Sequence, residues 1–497
     1  MSASCAACRG SLHERRWLRK GCAAMLVSNL HPAMNASVPN PAAPNPSEPD
    51  GLPTPRRYAA MAAILGAIAL VVIDGAIANV ALPSMAQQLG ATAADAVWIV
   101  TGYQLAVVMF LLPASAVGER LGYRRVFAAG VFLFTAASAL CAFAPSLGWL
   151  VLARFLQGLG SAAVMPLGLA LLRFTYPRRL LGAAIGWNAM TVALSSAAGP
   201  AVGAAILSIA NWRWLFAVNL PLGVLVLLAC RGLPKPAGTG RRIDRVSVAL
   251  NAAMFAAFVL GSDQVMTRPL IGLGLLALAA LTLFVLVRRE LPQSTPLIPL
   301  DLLRNHSFRV SVIASVCCFS GQMASYVALP FYIQHGLGQS ALTTGLMMTP
   351  WPLAVMVAAP LAGRWSERVS TAWLCALGGA CLALGLLLAT LWPLNGHLLP
   401  LVFATALAGL GFGFFQTPNN RNMLLSAPKE RSGAAGGMQG TARLTGQTIG
   451  SLLMGLLFTL MPAASAPRWG LALAAVLALA GGLVSVLRSP GKAPVAA

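Results

Sequence analysis

Long apolar runs separated by short polar stretches fill the chain from residue 58 onwards. The runs fall at 58–83, 96–117, 124–144, 149–173, 180–209, 213–231, 245–262, 270–288, 309–336, 343–363, 371–391, 399–419, 432–460 and 468–487, fourteen in all. A run of about 20 apolar residues crosses the hydrocarbon core as a helix. Lipid offers no hydrogen-bond partners, so each run must satisfy its own backbone, which a helix does. The runs at 245–262 and 270–288 are the shortest, and a twelve-span count is the alternative if they are amphipathic or re-entrant. The pattern predicts an all-α polytopic membrane protein. Its parts are a disordered cytoplasmic N-terminal tail (1–57), a six-helix bundle (58–231) and a linker with two additional spans (232–307). A second six-helix bundle (308–487) and a short cytoplasmic tail (488–497) complete it.

Composition narrows this further. Hydrophobic residues make up 58% and charged ones 9% of the chain, against about a quarter charged in soluble proteins. Mean hydropathy is +0.76. A soluble enzyme, a disordered regulator and a coiled coil are excluded. The formal charge of +22 would suggest nucleic acid in a soluble chain. Here it follows the membrane instead. With the N-terminus in the cytoplasm, the inside loops hold Arg120, Arg124, Arg125, Arg173, Arg178, Arg179, Lys235, Arg241, Arg242, Arg288, Arg289, Arg364, Arg368 and Arg421 among others. The outside loops hold only Arg213, Arg268 and Arg468. This is the inside-positive bias. It predicts a multi-pass protein of the inner membrane with both termini cytoplasmic and no nucleic-acid partner. The nine cysteines are irregularly spaced, and Cys5 with Cys8 form a lone pair without a second, so neither a disulfide framework nor a metal site is expected.

Ionisable groups at membrane depth carry the chemistry. Only Asp74 among the twelve acidic residues lies well inside a span. A charged carboxylate there costs about 2.5–3.5 kcal/mol to insert, which marks it as a proton-carrying candidate. The intramembrane bases are Arg154 and Arg443. Arg154 and Gln157 share one helix face, and Arg154 is placed to pair with Asp74 across the first bundle, lowering the cost of both. Gln439, Arg443 and Gln447 recur at every fourth position, a polar stripe suited to a water-filled cavity or to interhelical hydrogen bonds. With Gln104, Gln157, Asn188, Gln322, Tyr326 and Gln416 they form the candidate substrate cavity. Asp74, Arg154, Gln439 and Arg443 are expected to line one central space. Proline and glycine in Gly199-Pro200-Ala201-Val202-Gly203 bend a helix and admit a close neighbour. Glu119-Arg120 and Glu367-Arg368 sit at matching places after a proline-containing helix, so the two bundles read as repeats. Parallel six-helix repeats are a transporter architecture with the site near the midplane. No GxxxxGK[ST], HExxH or GxSxG motif is present, so no nucleotide engine and no hydrolase centre are legible.

In order along the chain stand Ile73-Asp74 through Asn79 to Pro83, Trp98 to Tyr103, Glu119-Arg120-Leu121-Gly122-Tyr123-Arg124-Arg125, Arg154-Phe155-Leu156-Gln157-Gly158, Gly199-Pro200 to Gly203, and Asn211-Trp212-Arg213-Trp214 with Asn219-Leu220-Pro221. With these, residues 58 to 487 resemble the fourteen-span drug:proton antiporters of the major facilitator superfamily. The resemblance implies two six-helix bundles plus two extra spans. It implies proton coupling by Asp74 and Arg154, and a conformational latch of Glu119, Arg120, Gly122, Arg124 and Arg125 repeated at Glu367 and Arg368. It implies an exporter motif at Gly199, Pro200 and Gly203. Ser115 and Ser370 replace the usual glycines of the loop motif, Glu119 its usual aspartate, and Ser195 and Ala204 the usual glycines of the fifth helix. No carboxylate lies in the second-half spans. That argues against dicationic drugs and towards a neutral, monocationic or anionic amphiphile.

The function expected is proton-coupled export of amphiphilic small molecules or drugs by alternating access, with no cofactor beyond the proton gradient. Its partners are the small-molecule substrate, protons and the bilayer. An accessory periplasmic protein is carried as an optional partner, and a monomer is expected. An exporter dedicated to one metabolite, lipid or siderophore is the nearest alternative; a non-transporting membrane sensor is the alternative of another class.

Overall fold

The computed structural model describes residues 51–235, 244–291, 300–366, 368–391, 398–427, 432–462 and 464–488. The expectations for the tail before residue 51, for Cys5, Cys8 and Glu367, and for most of the final tail lie outside these residues. Among them every regular element is helical. Fourteen long helices follow one another: α1 (Thr54–Gln88), α2 (Ala93–Leu121), α3 (Tyr123–Ala142), α4 (Leu147–Thr175), α5 (Arg178–Ile209), α6 (Arg213–Gly232), α7 (Arg245–Gln264), α8 (Pro269–Glu290), α9 (His306–Gly336), α10 (Ala341–Trp365), α11 (Thr371–Leu391), α12 (Leu399–Leu425), α13 (Ser432–Leu460) and α14 (Ala466–Val486). All but α13 contain a stretch long and apolar enough to cross a membrane. Helix α13 has the length, 29 residues, but carries the Gln439–Arg443–Gln447 stripe.

Helix ends overrun the apolar runs by a few residues, because polar caps rather than the apolar edge stop a helix. Thr92 accepts a hydrogen bond from Asp95 N, Ser146 from Trp149 N, Asp244 from Val246 N and Ser247 N, and Ser340 from Thr343 N. Each satisfies an orphan donor of the first turn. Pro55 lies in the first turn of α1, where its missing N–H costs nothing. Residues 54–57 therefore belong to α1 and not to the tail in which the sequence reading placed them.

Helices α7 and α8 are continuous, 20 and 22 residues long, and pair with each other. Helix α7 packs on both α2 and α13. Asn251 Nδ2 donates to Met109 O at 2.8 Å and Trp98 Nε1 to Asp263 Oδ1 at 3.0 Å. Helix α8 turns an apolar face outward, with Leu270, Leu273, Leu281 and Phe284 exposed.

The two halves meet mainly through four helix pairs, α1 with α9 and with α10, α2 with α13, and α5 with α10. Near the predicted outer ends a single apolar core joins them, running from Val80 and Val97 through Trp212 to Met323, Phe331 and Phe458. Towards the predicted inner ends the core divides. One part, from Ile64 to Phe127 and Leu171, belongs mainly to the first half. Another, around Leu302, Phe308 and Met423, belongs to the second. The largest apolar core thus spans both halves, and at the predicted inner side α2 and α13 stay in contact, with Leu112 and Leu111 against Gly437 and Gly440.

Candidate functional site

Asp74 sits at the middle of α1 and is 2% exposed. Arg154 Nη1 on α4 lies 2.6 Å from its Oδ2. Oδ1 accepts from Gln157 Nε2 at 2.9 Å and from Asn219 Nδ2 of α6 at 2.7 Å. Arg154 also donates through Nη1 to Gln157 Oε1 at 2.6 Å and through Nε to Ile99 O at 3.2 Å. Gln157 Nε2 donates further to Ser138 Oγ of α3 at 2.8 Å. One carboxyl thus ties together α1, α2, α3, α4 and α6. The Arg154 guanidinium lies 4.3 Å from the centre of the Tyr103 ring, whose hydroxyl bonds Ser161 Oγ at 2.8 Å. A buried ion pair survives when its remaining donors and acceptors are met, and here they are met by side chains and by the Ile99 carbonyl.

The Asp74–Arg154 pair is as the sequence reading expected, but its surroundings are not. The pair does not share a central space with Gln439 and Arg443. It is enclosed within the first half, because the charged face of α1 turns towards the helices that supply its partners. Gln157, expected in the cavity, is fully buried in this network: three residues after Arg154, it faces the same carboxyl. Asn219 and Ser138 were not singled out for this role. Asn219 had a signal, being a polar residue in an apolar run; Ser138 had none.

Of the remaining cavity candidates, Gln104 lies at the seam between the halves. Gln104 Nε2 on α2 lies 3.5 Å from Met323 Sδ on α9. Gln322 bonds the Tyr326 hydroxyl, and the Tyr326 ring meets Trp351 of α10 edge-on at 5.2 Å. The Oδ1 of Asn188 and the Oε1 atoms of Gln104 and Gln322 are buried without a hydrogen-bond partner. Gln416, Gln439, Arg443 and Gln447 are half-buried.

Gly199 and Gly203 of α5 press on Ala76 and Ile77 of α1, within one turn of Asp74. On the far side, Pro200 and Ala204 touch Gly345 of α10 across the seam. No side chain fits at Gly345 without displacing backbone. In the loop motif, Gly122 has φ +98°, a conformation glycine adopts without strain, and it joins α2 to α3 with a single residue. Arg120 and Arg125 are exposed, and Glu119 and Arg124 are half-buried. Of the second-half copy, Arg368 is exposed. There Arg421 Nη1 from α12 donates to Ser366 O at 2.7 Å and Oγ at 3.0 Å. Arg488, assigned to the final tail by sequence, is instead buried, bonded to Asn419 and to Cys375 Sγ.

Similarity to known proteins agrees with this geometry. The profile of the Major Facilitator Superfamily matches residues 64–300 and 311–496. The chain is 46% identical over 446 residues to the uncharacterized transporter YebQ of Escherichia coli (strain K12), covering 88% of this chain and 97% of that one. It is 33% identical over 430 residues to the puromycin resistance protein pur8 of Streptomyces alboniger, covering 82% and 83%. In backbone it matches a bacterial homologue of the human lysosomal transporter Spinster, solved inward-facing and unoccupied, with a TM-score of 0.64 at 14% identity over 88% of this chain and 97% of that one. That last likeness speaks to fold alone. A profile matched along nearly the whole membrane body, and a relative 46% identical aligned over 97% of its length, leave one assignment: the chain belongs to the Major Facilitator Superfamily.

Proposed function

We propose that the protein is a proton-coupled exporter of amphiphilic small molecules, working by alternating access in the inner membrane with both termini in the cytoplasm. The observation that carries this reading is the Asp74–Arg154 pair, a titratable group inside the membrane whose helix is also the one gripped by Gly199 and Gly203. A relative named for puromycin resistance supports export as the direction of transport.

In the arrangement seen, Asp74 is closed to water and its oxygens are taken by Arg154, Gln157 and Asn219. Protonation removes the charge that holds Arg154, so it favours a conformation in which these donors part. Any shift of α1 then moves Ala76 and Ile77 against α5, and α5 against Gly345 of α10. That path connects the proton site to the seam. Cargo enters the seam from the side on which the apolar core is divided, and the halves rock about it. No cofactor is needed. A potential of 100 mV and one pH unit supply about 2.3 plus 1.4, or about 3.7 kcal/mol per proton. That sustains a gradient of several hundredfold for a neutral cargo.

The test is pH-driven efflux from cells and inverted vesicles. Asp74→Asn is expected to abolish coupled efflux while the protein still reaches the membrane, and Asp74→Glu to retain part of it. Normal efflux in Asp74→Asn removes Asp74 from the mechanism. Absence of any pH-driven flux from the unaltered protein reduces it to a non-transporting membrane protein.

A further inference from the structure

Arg443 has no place in the proton network. It has no hydrogen bond or ion pair among the described residues, and its Nε is buried without a partner. Among the described residues, the ionisable side chain with which its charge interacts is the phenol of Tyr103, on the opposite half. Arg443 is half-buried, and a cation drawn partly out of water is costly unless an anion or several acceptors meet it. Arg154 shows the usual solution, two helices away, with a carboxylate at 2.6 Å. Arg443 lacks one.

Its position on α13 shows where an anion would sit. Gly446 and Gly450 press on α9 at Val316, Phe319, Ser320 and Met323. Gly437 and Gly440 face Leu112 and Leu111 of α2. At 100° per residue Arg443 lies between these two faces, so its side chain enters the wedge between α2 of one half and α9 of the other. That wedge also holds Gln104 and Met323, which are in contact. Gln104 leaves an amide oxygen there without a donor. The Tyr103 phenol of α2 is the aromatic group that senses the Arg443 charge. Cation, free amide and aromatic ring together describe a receptor for a ring-bearing molecule with one negative group.

We infer that Arg443 is the substrate-recognition residue and that the cargo is a monoanionic aromatic amphiphile, such as a carboxylate, phenolate or sulfonate. This rests on the export reading above and narrows its substrate class, since charge alone left neutral, monocationic and anionic cargo open. Guanidinium forms two parallel hydrogen bonds to a carboxylate or sulfonate and a charge-assisted hydrogen bond to a phenolate. Outward movement of an anion is driven by an inside-negative potential as well as by the proton, so the two halves of the exchange pull in one direction.

Equilibrium binding tests this without any gradient, and so separates its failure from failure of proton coupling. The full-length protein in phosphatidylcholine nanodiscs is dialysed against 2-naphthoate, 2-naphthamide and 2-naphthylmethylammonium, which share a ring system and differ in charge. Empty nanodiscs correct for partition into lipid. The unaltered protein is expected to bind naphthoate at least about tenfold more tightly than the other two, the size of one charge-assisted hydrogen bond. Arg443→Gln is expected to erase that preference while keeping naphthamide affinity within about twofold, and Arg443→Lys to keep part of it. No saturable naphthoate binding, equal binding of the three probes, or an unchanged preference in Arg443→Gln overturns the inference. Displacement of naphthoate by added phosphatidylglycerol assigns the site to a lipid headgroup and overturns it as well.

Discussion

Asp74 is held by three donors from two neighbouring helices, one of them cationic. Removing one member of such a pair leaves a buried charge uncompensated and costs about 3–5 kcal/mol, whereas removing both is often nearly neutral. Arg154→Gln alone is therefore expected to lower the thermal unfolding temperature of the purified protein more than Asp74→Asn combined with Arg154→Gln. A double variant less stable than the single one would show that the pair is not what holds these helices. The pair itself was legible because intramembrane charges are few and each must find a partner. Asn219 and Ser138 were not, because they reach the site from 145 and 64 residues away in the chain, a separation that no local pattern encodes. Arg443 shows the converse: sequence marked it as polar within a span, but only the fold shows that no described residue pairs with it.

At the scale of elements, α5 is the connector. It grips α1 through Gly199 and Gly203 in its own half, and meets α10 at Gly345 in the other. Interhelical contacts in lipid depend on small residues that let backbones approach. Gly345→Leu has no room beside Pro200 and Ala204, so it is expected to cut efflux more than about tenfold while cargo binding persists. Gly274→Leu on α8, where the space is open, is expected to leave efflux unchanged and serves as the control; equal effects in the two would deny the α5–α10 contact its role. The extra pair α7–α8 is a second connector. Helix α7 touches α2 and α13 together, through Asn251 and the Trp98–Asp263 bond on the α2 side. Both helices were legible as apolar runs, but not their position at the seam, since an apolar helix facing lipid and one facing protein read alike in sequence.

For the whole molecule, the arrangement of cores defines the conformation. One apolar core joins the halves at the predicted outer side, and separate cores serve each half at the inner side. The basic loops lie at the end served by the separate cores, which is the end proposed to face the cytoplasm. A reporter enzyme active only outside the inner membrane is expected to be active when fused after Ala144 and inactive when fused after Leu233. The reverse pattern would invert the topology and, with it, the direction of transport.

The chain by itself determined the number of spans, their order, the orientation bias and the one acidic group at membrane depth. These follow from the cost of exposing backbone and charge to lipid, a cost paid residue by residue and therefore written into local composition. Tertiary structure alone decided which groups meet. It closed Asp74 among α1, α3, α4 and α6 instead of opening it to the seam, buried Arg488 on Asn419, and left Arg443 facing α2 and α9 unpaired among the described residues. Those outcomes depend on how helices rotate and pair across the bundle, and that is set by packing between residues far apart in the chain.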